Sequence, residues 1–259
     1  MTNTPLSPLS GVGVLVTRPR AQAAELIEGI ESKGGTAICF PVIKIVPRDQ
    51  DAIAADAAAM ADPDIALFVS RNAVEHGLAY AKGAMKGATG PTTAAAILYA
   101  GHSVEIQSDH GYDSESLLEE PELQDVSGKQ VRIIRGDDGR ELLADTLRKR
   151  GATVNYLSAY ERRCAEVSPI QLAEIEAAWR DGKIQVITIM SLESLKNLAL
   201  LLPKWCVQQI ASLPLVTPAA RVIQEALDRY PDATLILAAG PQTTDMVEAI
   251  QKSNLGITR

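Results

Sequence analysis

The chain has 259 residues, a formal charge of −7, 46% hydrophobic residues and only 4% aromatics. An acidic balance without a dense Lys/Arg cluster excludes a nucleic-acid surface, because phosphate binding needs a basic face. The length exceeds the usual single-domain range of ~100–150 residues, so two domains are expected, with cores of Ala, Leu, Ile and Val as in buried parallel strands.

No apolar run approaches the ~18 residues of a membrane span. The opening MTNTPLSPLS has neither the basic flank nor the apolar stretch of a secretion signal. A soluble, cytoplasmic protein with no membrane partner is expected. Cys39, Cys164 and Cys206 are odd in number and scattered, which argues against a disulfide framework or a CxxC metal pair.

In chain order, the first strand is Val12 to Val16, followed by Thr17-Arg18-Pro19, with Pro19 expected at the first helical position. Ala23, Leu26, Ile27 and Ile30 then form a helical apolar stripe that Gly34-Gly35 ends. Residues 38 to 47 read as a crossing segment, because Pro41 and Pro47 suit no central strand. A helix over Ala52 to Ala61 and a strand over Ile65 to Val69 follow, with Ser70 opening the next helix. Residues 83 to 90 (GAMKGATG) read as loop or weakened strand, and Gly90-Pro91-Thr92-Thr93 starts an alanine-rich helix. Val104-Glu105-Ile106, an acidic helix after Asp113, Val131 to Arg135 and Val154 to Leu157 complete the middle of the chain. Beyond them lie strands at Val186 to Met190, Leu215 to Thr217 and Leu235 to Ala238, with helices from Ser191, Pro218 and Pro241.

This order contains a repeat. Val14 to Arg18 (VLVTR), a helix and Gly35-Thr36-Ala37-Ile38 reappear as Val131 to Arg135 (VRIIR), a helix and Gly151-Ala152-Thr153-Val154. Likewise Ile65 to Ser70 and its helix match Val186 to Ser191 and its helix. The period far exceeds that of stacked repeats, so the reading is two similar α/β domains with mostly parallel sheets. One comprises residues 1–41 and 163–259, and the other, 48–156, is inserted into it. Residues 42–47 and 157–162 would run side by side as a two-stranded link that permits hinge motion.

In open parallel sheets, ligands bind beyond the carboxyl ends of the strands. The residues expected there are Thr17, Arg18 and Pro19; Ser70 and Asn72; Thr92 and Thr93; Arg135, Gly136, Gly139 and Arg140; Ser191 and Ser194; and Thr217. Most are Ser, Thr or Gly at helix starts, where capping alone explains the residue types. Such starts also present N–H donors and the positive end of the helix dipole to an anion. Arg18 and Arg135 close matching strands of the two copies. The run from Arg135 to Arg140 lacks both GxGxxG and a GKS/GKT ending, so it is no nucleotide loop. His76, His102 and His110 have no metal-ligand spacing, and no serine lies in a GxSxG elbow. Tyr160 sits in the returning connector, where a tyrosine hydroxyl, of ordinary pKa ~10, is a neutral donor at pH 7.

The segments VLVTRP (14–19), FVSxNAV (68–74), GPTTA (90–94), YDSExLL (112–118), RGxxGRELL (135–143) and AYxRR (159–163) together resemble the uroporphyrinogen-III synthase family over essentially the whole chain. The resemblance implies two flavodoxin-like domains joined by a two-stranded linker, with neither metal nor organic cofactor. It implies an enzyme that closes hydroxymethylbilane, a linear tetrapyrrole with eight carboxylates, into a ring; separately, a monomer is expected. Water is lost and the last pyrrole is inverted. Tyr160 matches the family's linker tyrosine and would protonate the leaving hydroxyl, directly or through water. The helix starts, with Arg18 or Arg135, would hold the carboxylates.

This chain departs from the family at Ser191-Leu192-Glu193-Ser194, where relatives often have Ser-Pro-Ser, and Glu193 suits an anionic ligand only if it points away. Thr217-Pro218-Ala219-Ala220-Arg221 is a partial match. The rival readings are a non-catalytic two-domain sensor of tetrapyrroles or small anions, and a flavin carrier. Fold analogy alone carries little functional weight for the carrier, and few aromatics are available to sandwich a flavin.

Overall fold

The computed structural model describes residues 7–139 and 141–257. In chain order its elements begin with β1 (Gly13–Val16), α1 (Arg20–Ser32), β2 (Thr36–Cys39), β3 (Ile43–Pro47), α2 (Gln50–Ala58), β4 (Ile65–Phe68) and α3 (Arg71–Gly77). Next come β5 (Met85–Ala88), α4 (Pro91–Tyr99), β6 (Ile106–Gln107), α5 (Ser114–Leu117), β7 (Gln130–Gly136), α6 (Leu142–Lys149) and β8 (Thr153–Cys164). The remainder holds α7 (Pro169–Arg180), β9 (Val186–Thr188), α8 (Leu192–Leu201), α9 (Lys204–Gln209), β10 (Leu215–Thr217), α10 (Ala220–Arg229), β11 (Leu235–Leu237) and α11 (Thr243–Ile257). None of the described helices is long and apolar enough to cross a membrane.

Two compact units result. The first comprises Met1–Lys44 with Arg163–Arg259, and the second is Ile45–Arg162. Among the described residues the first unit's sheet has the order β11-β10-β9-β1-β2, and its strand pairings are all parallel. The other sheet has the order β3-β8-β7-β4-β5-β6 and is parallel from β8 to β6. At its β3 edge, Arg48 N donates to Ala159 O and Ala165 N to Val42 O. As one number rises its partner falls, so β3 runs antiparallel to β8.

The repeat extends to strand register. Val14 pairs with Ala37 and Val186, while Val131 pairs with Val154 and Ile65. Read across the sheets, β2-β1-β9-β10-β11 matches β8-β7-β4-β5-β6. The chain order differs: β1 and β2 precede the other three strands in the first unit, whereas β7 and β8 follow them in the second.

Each sheet is covered by amphipathic helices. The α1 stripe buries Ala23, Leu26 and Ile30 against Val14 and Val16, together with Met246, Val247 and Ile250 of α11. At ~25 cal/mol per Å², such fully buried side chains contribute roughly 1.5–3 kcal/mol each before conformational entropy is counted. In the second unit the two sheet faces carry separate cores. Ala66, Phe68, Ile134 and Leu157 lie in one, and Ile65, Leu67, Ile133 and Val154 in the other.

Several local expectations are corrected. Of the two readings of residues 83 to 90 the strand holds: β5 (Met85–Ala88) lies inside the sheet between β4 and β6. Gly87 is there because a Cβ would overlap Leu67 Cδ2 and approach Ile106 Cβ to 3.2 Å. Residues 38 to 47 supply β2 and β3, both at sheet edges, where Pro41 and Pro47 interrupt no ladder on two sides. Pro19 is the N-cap of α1 rather than its first residue, because its ψ of 138° is extended. For the same reason α10 begins at Ala220, after an extended Ala219, rather than at Pro218; α11 begins at Thr243 rather than at Pro241. Helix α2 lies earlier than Ala52 to Ala61 because Asp49 caps it through Ala52 N.

Candidate active site

In the second unit β4 ends at Phe68 and the chain turns through Val69 into Ser70. The Ser70 Oγ accepts from Ala73 N at 3.1 Å and so caps α3. The same oxygen is 2.9 Å from the Tyr160 hydroxyl, with either group able to donate. Tyr160 comes from β8 and is only 3% exposed. The His76 ring of α3 lies 6.4 Å from its ring. At the end of β7, a Cβ on Gly136 would stand 3.0 and 3.1 Å from Tyr160 Cε2 and Cζ, so a side chain at that point would crowd the tyrosine ring. Asn72 lies in the first turn of α3. The turn after β5 leads to Gly90, the N-cap of α4, with Pro91, Thr92 and Thr93 in the first turn and Thr93 buried. Ser70, Gly136 and Tyr160 are thus brought together.

Arg135 belongs to a different cluster. Its guanidinium stacks 3.7 Å above the Tyr156 ring, and Nη2 reaches Glu141 Oε1 at 3.1 Å. Tyr156 donates to Glu141 Oε2 at 2.7 Å. That donation, with Arg135, holds the Glu141 carboxyl below its usual range. Burial and the bond to Glu141 push the Tyr156 hydroxyl up to about 12. Gly139 lies against Arg135, where a Cβ would sit 3.3 Å from Nη1. Tyr156 packs on one core of the unit and Tyr160 in the other, so Arg135 and Tyr160 work on opposite sheet faces. Arg140 lies outside the described residues.

In the first unit the strand ends carry hydroxyls that are turned inward. Thr17 is fully buried and donates to Thr188 O at 2.5 Å, and Thr188 donates to Leu15 O at 3.1 Å. Thr217 is 1% exposed, and its Oγ1 accepts from Ala219 N. Arg18 and Pro19 are half-buried. Arg18 Nη2 donates to Pro241 O at 2.6 Å, and burial lowers its pKa against the opposing pull of Glu25. Ser191 caps α8 by accepting from Ser194 N, with the two hydroxyls 3.0 Å apart. Glu193 lies near Cys164, whose thiol is pushed up by burial and then by that carboxylate.

Four participants carried no sequence signal of their own role. Thr188 sits in an apolar strand, Glu141 and Tyr156 meet only through the fold, and Arg48 donates from Nη1 to Ser158 O. Among the described residues no three His, Cys, Asp or Glu side chains are placed to hold a metal ion.

Fold and site together define a pair of related α/β units whose strand ends are lined by capped helix starts, with a buried tyrosine and a half-buried serine at one of them. The family described as "Uroporphyrinogen-III synthase HemD" matches residues 24–250. The chain belongs to that family. It is 32% identical over 208 residues to the uroporphyrinogen-III synthase of Escherichia coli, covering 75% of this chain and 81% of that protein. Among solved structures, a mutant uroporphyrinogen III synthase from the extremely thermophilic bacterium Thermus thermophilus superposes with a TM-score of 0.60 at 19% identity, over 95% of this chain and 99% of that one. A uroporphyrinogen-III synthetase from Helicobacter pylori gives 0.58 at 12% identity, over 93% and 99%. At those identities the two structures speak for the fold.

Proposed function

We propose that this chain is a uroporphyrinogen-III synthase, a cyclising lyase that closes hydroxymethylbilane with loss of water and inversion of its last pyrrole ring. The observation that carries this reading is the family match across residues 24–250, joined to a tyrosine hydroxyl held at a helix start in the second unit. For water to leave, the hydroxymethyl oxygen must gain a proton while the adjoining pyrrole supplies electrons. In this reading Tyr160 delivers that proton, directly or through water. Ser70 supports it: the Ala73 N–H polarises the Ser70 hydroxyl, which can donate to the Tyr160 oxygen as the tyrosine gives up its own proton.

Substrate carboxylates would be held by N–H donors at the starts of α3, α4 and α8 and by the backbone at Thr17 to Pro19, Gly136 to Gly139 and Thr217. Arg18 and Arg135 would add charge-assisted bonds of ~1.5–3 kcal/mol each. The hydroxyls of Thr17 and Thr217 are already engaged internally, which leaves their turns' backbone for this task. General-acid help typically gives ~10²–10⁴-fold, whereas holding reacting ends in place supplies ~7–11 kcal/mol of the barrier. Positioning therefore dominates. A cytoplasmic monomer belongs to the same proposal, and sedimentation of the purified protein should give the 27.7 kDa of one chain.

The test supplies freshly made hydroxymethylbilane and separates the product isomers. Spontaneous closure gives the type I isomer, so type III product reports the enzyme and type I alone overturns the proposal. Tyr160→Phe should lower kcat about 10²-fold without abolishing type III product; wild-type turnover in that variant removes the tyrosine's role.

A further inference from the structure

Side chains alternate across a strand, and β8 obeys this rule up to one point. Val154 and Tyr156 face one core of the second unit, and Leu157 and Ala159 face the other. Strict alternation would send residue 160 to the face of Tyr156. Instead Tyr160 shares the core of Ala159. The cause is a bulge: Arg135 pairs with Ser158 but Gly136 pairs with Tyr160, which leaves Ala159 as an extra residue. One added residue turns the following side chain to the opposite face. Helix α3 covers the face so reached, since Ala73 and Val74 lie in the same core. Without the bulge the Tyr160 hydroxyl would point away from Ser70.

Arg48, just beyond β3, holds both carbonyls at this irregularity. Its backbone N–H donates to Ala159 O at 3.2 Å, and Nη1 donates to Ser158 O at 2.8 Å. The same Nη1 lies 2.9 Å from Asp56 Oδ2 of α2, which anchors the guanidinium from the helix side. A planar guanidinium serves a carbonyl and a carboxylate together, a geometry that a lysine ammonium on a flexible stem does not reproduce.

We propose that Arg48 is a positioning residue for ring closure: by clasping the bulge of β8 it fixes the Tyr160 hydroxyl beside Ser70. This rests on the role given above to Tyr160. The decisive experiment is a double-mutant cycle between Arg48→Lys and Tyr160→Phe. Arg48→Lys keeps the charge and the backbone N–H, so the bulge remains while its side-chain clasp is lost. In the wild-type background kcat should fall about tenfold to a hundredfold, the scale on which a displacement of about 1 Å acts. KM should stay within about twofold, since no substrate contact is removed.

With Tyr160→Phe already present there is no hydroxyl to misplace, and Arg48→Lys should change kcat by less than about twofold. An equal fractional loss in both backgrounds overturns the proposal, as does unchanged kcat in Arg48→Lys. If Tyr160→Phe alone runs at the wild-type rate, the tyrosine's role fails first, and any remaining Arg48→Lys defect does not act through it. Should Arg48→Lys fail to fold, Asp56→Asn goes through the same cycle: a smaller loss confined to the wild-type background supports the clasp, and a loss equal in both backgrounds, or none, overturns it.

Discussion

In the first unit Thr17 directly follows β1, and β9 and β10 end on Thr188 and Thr217; all three are buried. The matching positions in the second unit are Ile134, Leu67 and Ala88, which are apolar. One unit ties its strand ends together with hydroxyls, while the other packs them with hydrocarbon and keeps its hydroxyls for the Ser70–Tyr160 pair. The covering helices differ in the same direction. Seven residues after the capping serine, α8 carries Leu198, fully buried, and α3 carries Gly77. A Cβ at Gly77 would overlap Ile134 Cγ2 and touch Ala159 Cβ at 3.3 Å. Helix α3 therefore meets the bulged end of its sheet with its backbone, where α8 interposes a side chain. The same framework has been tuned for cohesion in one place and for close placement of two polar groups in the other.

The most drastic way to break this contrast is to give α3 the residue of α8. Gly77→Leu should cost about 3 kcal/mol or more, at the upper end of overpacking effects, and should part Ser70 from Tyr160. Urea unfolding and turnover should register both losses. A milder change acts on the first unit. Thr17→Val keeps the shape but leaves the Thr188 carbonyl without its donor, at a cost of about 1–3 kcal/mol in urea unfolding. Its kcat should hold, because the hydroxyl faces inward; a selective loss of kcat would show that the first unit's threonines act on substrate.

The smallest effect is expected at the other face of the second unit. Tyr156 is raised to about 12, so it stays protonated longer in the folded protein than in the unfolded chain. Its contribution is complete below the ordinary tyrosine pKa of ~10 and fades as pH rises through about 12. Tyr156→Phe should remove a step near about 12 from the phenolate absorbance titration. Loss of an earlier step instead would mean that the bond to Glu141 does not hold it.

Much of this architecture was legible because hydrophobic periodicity and capping residues report local structure. The Val14 to Arg18 and Val131 to Arg135 segments disclosed the doubling, and Ser70 and Ser191 read correctly as caps. Strand β5 was obscured because Gly87 is dictated by Leu67 and Ile106 across the sheet, which are remote in sequence. Helix α7 escaped the sequence reading although the capping box of Ser168 and Gln171 starts it; it stands before β9 as α2 stands before β4. The site was less readable. A one-residue bulge leaves no mark in a sequence, so the face of Tyr160 had to come from the pairing itself. Arg135 likewise promised an anion contact by position, whereas its stacking on Tyr156 and its bond to Glu141 depend on elements that only folding brings together.

The split construction of the first unit has a consequence for how the protein is made. As synthesis proceeds from the N-terminus, β1, α1 and β2 leave the ribosome first, yet Val14 finds Val186 only after the intervening chain has been translated. The second unit, contiguous from Ile45 to Arg162, has everything it needs well before then. One flank of β1 meanwhile stays uncovered, a bare strand edge of the kind that invites mispairing with other chains. The half that waits is the one whose strand ends, once assembled, are stitched by buried threonines.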